Sequence, residues 1–85
     1  MYEIYLERAA QQDLKRLSAD HFNRIVTSVK GLAENPRPGN CRKLSGSEND
    51  WRIRVGDYRV VYEINDKQKI VNVMRIRHRR EAYRR

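Results

Sequence analysis

Arginine is the residue type in this sequence best placed to do chemistry, and it recurs at a spacing of two. Arg52 and Arg54 interleave with Trp51, Ile53 and Val55, Arg59 sits between Tyr58 and Val60, and Arg75, Arg77 and Arg79 keep the rhythm through Ile76 and His78. That spacing on a β-strand puts all such residues on one face. A guanidinium holds its charge at any accessible pH and grips an anionic oxygen pair through two parallel N–H bonds. A sheet face carrying these arginines would hold a polyanion. The charge map agrees. Residues 1–36 hold five Lys/Arg and five acids, whereas residues 37–85 hold fourteen Lys/Arg against six acids and carry the whole net charge of +8.

Proton transfer has fewer candidates. Arginine is a poor base, since its pKa lies above about 12. His78 is the group near the arginines that titrates near neutrality, and it is the candidate for a proton-transfer role. His21 falls on a helix and reads as a surface residue. Two histidines and the single Cys41 do not cluster, so no metal site and no cofactor is expected. Cys41 alone also excludes a disulfide framework.

These groups need elements to position them. Tyr2, Ile4 and Leu6 alternate with Glu3 and Tyr5, which predicts a short strand. Ala10, Leu14 and Leu17 mark one face of a helix beginning near Glu7. Ser18 suits the N-cap of a second helix, whose stripe is Phe22, Ile25, Val26, Val29 and Leu32. Asn35-Pro36-Arg37-Pro38-Gly39 ends it. Residues 35–50 read as a polar connection anchored by Leu44. Three strands follow, from Trp51, from Tyr58 and from Ile70. The order is β-α-α-β-β-β, and the expected class is α+β, with the helical hairpin on one face of a mainly antiparallel four-stranded sheet.

Register decides which face each arginine takes. A two-residue turn at Gly56-Asp57 pairs Arg54 with Arg59, Ile53 with Val60 and Arg52 with Val61. A turn over 65–69 would pair Ile64 with Ile70 and Val60 with Met74. Ile70, Met74 and Ile76 would then continue the apolar face, with Asn72 as its misfit. Val71, Val73, Arg75, Arg77 and Arg79 would line the basic face, with Arg59 opposite Arg75. A slip of one residue would reverse the assignment of the last strand. Like charges opposed across strands are destabilising, which raises the case for an anionic ligand.

The chain's 85 residues fit a single domain over 1–85. No run of about 20 apolar residues is present to span a membrane. No basic-then-apolar leader precedes the first strand, and the expected compartment is a reducing cytoplasm.

The segment Trp51-Arg52-Ile53-Arg54-Val55-Gly56-Asp57-Tyr58-Arg59-Val60-Val61-Tyr62, followed by Arg77-His78-Arg79-Arg80-Glu81-Ala82-Tyr83, resembles the RelE/ParE superfamily of type II toxins from toxin–antitoxin modules. Leu44-Ser45-Gly46 and Asn35-Pro36 fit the same family's lead-in. The resemblance covers essentially the whole chain and implies a RelE-like fold. RelE-like members cleave mRNA in the ribosomal A site, whereas ParE-like members poison DNA gyrase and lack the catalytic basic residues. Carried over by the resemblance, Arg52 and Arg54 are the paired basic positions, Arg59 the transition-state arginine, Arg79 the arginine after the last strand, and Tyr83 the aromatic that stacks on a base. Arg75 and Arg77 would bind RNA. Well-studied nucleases of the family carry lysines in the first pair, or a Glu or His base, where this chain has arginines.

The implied activity is that of a metal-independent, ribosome-dependent endoribonuclease, working by in-line attack of the adjacent 2′-hydroxyl. Its implied partners are a 70S-type ribosome with its mRNA and a cognate acidic RelB-like antitoxin that folds on contact. Two other classes compete: a non-catalytic gyrase inhibitor and a small basic nucleic-acid-binding module.

Overall fold

The computed structural model describes residues 1–82. It contains β1 (Glu3–Leu6), α1 (Arg8–Lys15), α2 (Ala19–Glu34), β2 (Cys41–Lys43), β3 (Asp50–Val55), β4 (Tyr58–Asn65), β5 (Ile70–His78) and the single turn α3 (Arg79–Ala82). The strands form one sheet in the order β1-β5-β4-β3-β2. β1 runs parallel to β5, and every other pair is antiparallel. The expected α+β class holds, but the sheet has five strands, because Cys41–Lys43 pairs with β3. Three residues are too short to show an alternation, so this strand was read as loop.

Capping fixes the second helix. Ser18 accepts the His21 amide at 3.5 Å and opens α2. The Asn35 amide closes that helix on the Gly31 carbonyl, and Pro36 forbids another turn. Ile25, Val29 and Leu32 of α2 and Ala10 and Leu14 of α1 are buried against Ile53, Val60, Tyr62, Ile64, Val71, Val73 and Ile76 of the sheet. Phe22, placed on the same stripe by its spacing, is instead 40% exposed at the start of α2.

The β3–β4 hairpin has the register expected from its two-residue turn. Gly56 takes a φ of 60° at the first turn position, as a II′ hairpin requires. β5 differs. Its turn is one residue shorter, with Asn65 opposite Ile70, and the Asn65 side chain accepts the Gln68 amide at 3.0 Å. Ile64 therefore faces Val71 and Tyr62 faces Val73, and both valines are fully buried rather than on the basic face. A bulge at Met74 then takes up the odd residue. Beyond it Val61 pairs with Arg75, Val60 with Ile76 and Arg59 with Arg77, so Arg59 opposes Arg77 and not Arg75. The bulge lets one strand bury Val71, Val73 and Ile76 while sending Arg75 and Arg77 to the open face. Asn72 is no misfit. It stands on the open side opposite Glu63, and its amide donates to Glu7 Oε2 at 2.6 Å.

The connection after α2 is pinned rather than loose. The buried Tyr62 hydroxyl donates to the Pro36 carbonyl at 2.7 Å. Burial, followed by the neighbouring Cys41, pushes that phenol's pKa up, so it stays protonated and keeps donating. Arg37 lies over the Trp51 ring, 5.1 Å from its centroid. Its guanidinium also forks onto Asp66 at 2.9 and 3.3 Å, and Tyr2 donates to the same carboxylate at 2.6 Å. The Arg37 bonds, then the Tyr2 bond, hold the Asp66 carboxyl down at about 2. A carboxylate held below its unfolded value near 4 stabilises the fold above that value. The contribution is lost as pH falls from about 4 through about 2. Carboxyl NMR is expected to show Asp66 titrating near 2. In Arg37→Ala the midpoint should return toward the ordinary range, and an unchanged midpoint would refute the pairing.

Candidate nucleic-acid interface

One face of the sheet is covered by the helices, and the other carries the arginines. Cross-strand pairing arranges them in two rows. Arg54, Arg59 and Arg77 oppose one another across β3, β4 and β5. In the neighbouring row Arg42 of β2 opposes Arg52, and Val61 separates Arg52 from Arg75. Direct opposition of like charges costs stability in each row.

Two clefts open on this face. The first, of about 300 Å³, is lined by Asn40, Arg42, Arg52, Arg54 and Arg59. Among the described residues no carboxylate lines it. Arg42, Arg52 and Arg54 make no ion pair within the described residues. The second cleft, of about 600 Å³, lies over Val61 and beneath the loop from Leu44 to Ser47. Arg52 and Arg59 belong to both clefts. Arg59 is only 7% exposed, so it forms the buried floor between them instead of standing out in solvent. Desolvation there strengthens its pull on an anion compared with a surface arginine.

Asn40 carries the one neutral amide of the first cleft. Its Nδ2 donates to the Arg54 carbonyl at 3.1 Å, which ties the end of the pinned connection to β3. The anchors at Tyr62 and Asp66 thus place one wall of the site.

The chain matches, over residues 4–83, the family described as the ParE toxin of the parDE type II toxin–antitoxin system. It belongs to the RelE/ParE superfamily of toxins. Toxin RelG of Mycobacterium tuberculosis is 32% identical over 88 residues, covering 99% of this chain and 98% of that protein. The archaeal RelE–RelB complex of Pyrococcus horikoshii superposes with a TM-score of 0.83 at 28% identity, over 92% of this chain and 94% of that one. The intact RelBE toxin–antitoxin complex of Escherichia coli, at 23% identity, shares the fold with a TM-score of 0.78 over 89% of this chain and 94% of that one.

Within this RelE/ParE scaffold the sequence-chosen residues separate. Arg52, Arg54, Arg59, Arg75 and Arg77 come together on the open face. Arg75 is also a structural group: its Nε and Nη2 donate to Asp13 of α1 at 2.9 and 3.2 Å. Arg79 stands at the hairpin end of the sheet, where its amide donates to the Asp57 carbonyl at 2.6 Å and its guanidinium lies 3.9 Å from the Asp57 carboxylate. Tyr83 falls outside the described residues.

His78 is not at the clefts. β5 runs on to His78, which pairs with Tyr58 and so turns to the helix-covered side. Its ring meets Tyr58 edge-on at 5.3 Å, and His21 contacts the same tyrosine at 5.0 Å. The Arg80 amide donates to His78 Nδ1 at 3.3 Å, so the imidazole helps fasten α3. Asn40, Arg42, Ser47 and Asp50 line the clefts and escape the sequence reading. The signal for Arg42 is the basic pair Arg42-Lys43 in the otherwise uncharged run from Pro38 to Ser47, which takes a face only once β2 is known.

No helix among the described residues is long and apolar enough to cross a membrane.

Proposed function

We propose that this toxin is a ribosome-dependent endoribonuclease that cleaves mRNA in the A site and so halts translation in the cytoplasm. The observation that carries the reading is the cleft lined by Arg42, Arg52, Arg54 and Arg59, four arginines with no carboxylate beside them among the described residues. A small domain has little stability to spend on such repulsion unless a polyanion relieves it. Guanidinium forks match the non-bridging oxygens of a phosphodiester and favour the extra charge of a phosphorane. The reading also draws on the superfamily resemblance, in which Arg52, Arg54, Arg59 and Arg79 occupy the nuclease positions and Tyr83 stacks on a base. The attacking group is the substrate's own 2′-hydroxyl, so the chain's residues need only align, stabilise charge and move protons.

A RelB-like acidic antitoxin is the proposed partner, by analogy with the RelE–RelB complexes that share this fold. Its negative charge would meet the basic face, and steering would make association fast at low salt.

Primer extension on an mRNA translated with the purified protein tests the activity. Codon-phased cuts are expected, and their absence would overturn it. The second reading is a non-catalytic inhibitor of DNA gyrase, favoured by the match to the parDE toxin family. Inhibition of gyrase supercoiling without mRNA cuts would decide for it.

A further inference from the structure

The arginines of the clefts supply charge stabilisation but cannot serve as the base. Every arginine stays protonated, and His78 lies on the other side of the sheet. We propose that Asp50 is the general base: its carboxylate takes the proton of the attacking 2′-hydroxyl. This role rests on the ribonuclease reading above and names the group that reading lacks.

Asp50 opens β3 and shares the face of Arg52 and Arg54 by the strand's period of two. It lines the larger cleft together with Arg52, Arg59, Arg75 and Arg77, over a floor at Val61. The pairing of Arg52 with Val61 and of Val61 with Arg75 sets one short side chain between two arginines in the row. A phosphate held there has Asp50 one row away. Among the described residues lining either cleft, Asp50 is the one with a carboxylate, the group there suited to accept a proton.

The backbone that carries this carboxylate is held on both sides, and the carboxylate has no hydrogen-bond partner among the described residues. The Asp50 amide donates to Ser47 Oγ at 3.2 Å, its carbonyl accepts the Leu44 amide at 2.9 Å, and the Ile64 amide bonds to the Asn49 carbonyl at 3.0 Å. The backbone on both sides is therefore tied to the sheet, as a positioned group requires. The Asp50 side chain forms no ion pair among the described residues, although four arginines share its cleft. It stands directly opposite Glu63, a like-charge pairing that costs stability and that no structural role demands.

The step balances as follows. The 2′-hydroxyl gives its proton to Asp50 while its oxygen bonds to phosphorus. The bond from phosphorus to the 5′-oxygen breaks, and that oxygen keeps the electron pair and takes a proton from water. The products are a 2′,3′-cyclic phosphate and a 5′-hydroxyl. The Asp50 acid then returns its proton to solvent.

Single-turnover cleavage of mRNA on programmed ribosomes tests the assignment. Asp50→Asn is expected to lower the saturating rate by about 10²–10³-fold, within the range for loss of a general base. The half-saturating toxin concentration and the melting temperature are expected to stay at wild-type values. Between pH 6 and 9 the residual rate of Asp50→Asn should climb roughly tenfold per pH unit as hydroxide takes over, where the wild type is flat. Asp50→Glu, which keeps a carboxylate, should recover most of the rate and the flat profile. An Asp50→Asn protein that cleaves at the wild-type rate, loses only affinity, or melts early would overturn the role. A wild-type protein that makes no cuts at all would instead remove the ribonuclease reading and this role with it.

Discussion

Arg59→Ala is expected to slow single-turnover cleavage of ribosome-bound mRNA by about 10²–10³-fold, the usual loss when one positioned charge-stabilising donor is removed. Arg59 is the arginine with most to lose. It is 7% exposed, both clefts include it, and it lies between Arg54 and Arg77 in register. A guanidinium in that position would meet a bound phosphate from the low-dielectric side, where its field is least screened. Arg59→Lys is the sharper variant. It keeps the charge and most of the stem but loses the two-point fork, so it is expected to recover only a small part of the rate. In Arg59→Ala, removing one charge from a row of three relieves repulsion and offsets the packing lost with the stem, and Arg59→Lys keeps that packing, so both variants are expected to fold. A folded Arg59→Ala protein that cleaves at the wild-type rate would mean that the arginine rows bind RNA without taking part in the reaction.

The position of Arg59 was legible from the sequence because a two-residue turn at Gly56-Asp57 admits one register, which the structure repeats. Its burial was not. Strand parity places Arg59 on the open face and carries no information on its depth there, and the three residues of β2 beside this face leave no periodicity to read. β5 failed for a different reason. Its pattern of Ile70, Val71, Asn72, Val73, Met74, Arg75, Ile76 and Arg77 contains two alternations offset by one residue. A single period cannot satisfy both halves, and the bulge at Met74 is the backbone's resolution of that conflict. The paired runs Val71/Val73 and Arg75/Arg77, each alternating with the other kind of residue, were the available sign of a bulge. The misplacement of His78 follows from the same strand. Parity alone turns it to the helix side, and the strand proved long enough for parity to hold. Asp50 was passed over because it precedes the tryptophan that seemed to open β3, although it stands at the same spacing of two from Arg52.

Asp13→Ala is expected to cost stability out of proportion to its place on a helix. Asp13 lies in the last turn of α1, the end of a helix where a carboxylate is unfavourable against the dipole, and alanine is the better helix former. Local terms therefore predict that the substitution stabilises, by up to about 1 kcal/mol. Tertiary contacts run the other way. β1 stops pairing at Val73, which leaves the outer edge of β5 without a strand beyond it. Asp13, 9% exposed, closes that edge: one carboxylate oxygen accepts the buried Ile76 amide at 2.9 Å, and the pair of oxygens accepts the Arg75 fork. Truncation leaves a buried N–H unsatisfied and breaks a partly buried ion pair, roughly 2–4 kcal/mol together once the half-exposed Arg75 is allowed to rehydrate. The balance is a net loss of about 2 kcal/mol, or a fall of roughly 8–16 °C in melting temperature for a domain of this size. Asp13→Asn can still accept the Ile76 amide and is expected to lose roughly half as much. In an Arg75→Ala background the cost of Asp13→Ala should shrink by only the ion-pair share, because the Ile76 amide remains uncapped. An Asp13→Ala protein that melts with the wild type would show that the helix terms prevail and that the β5 edge needs no cap.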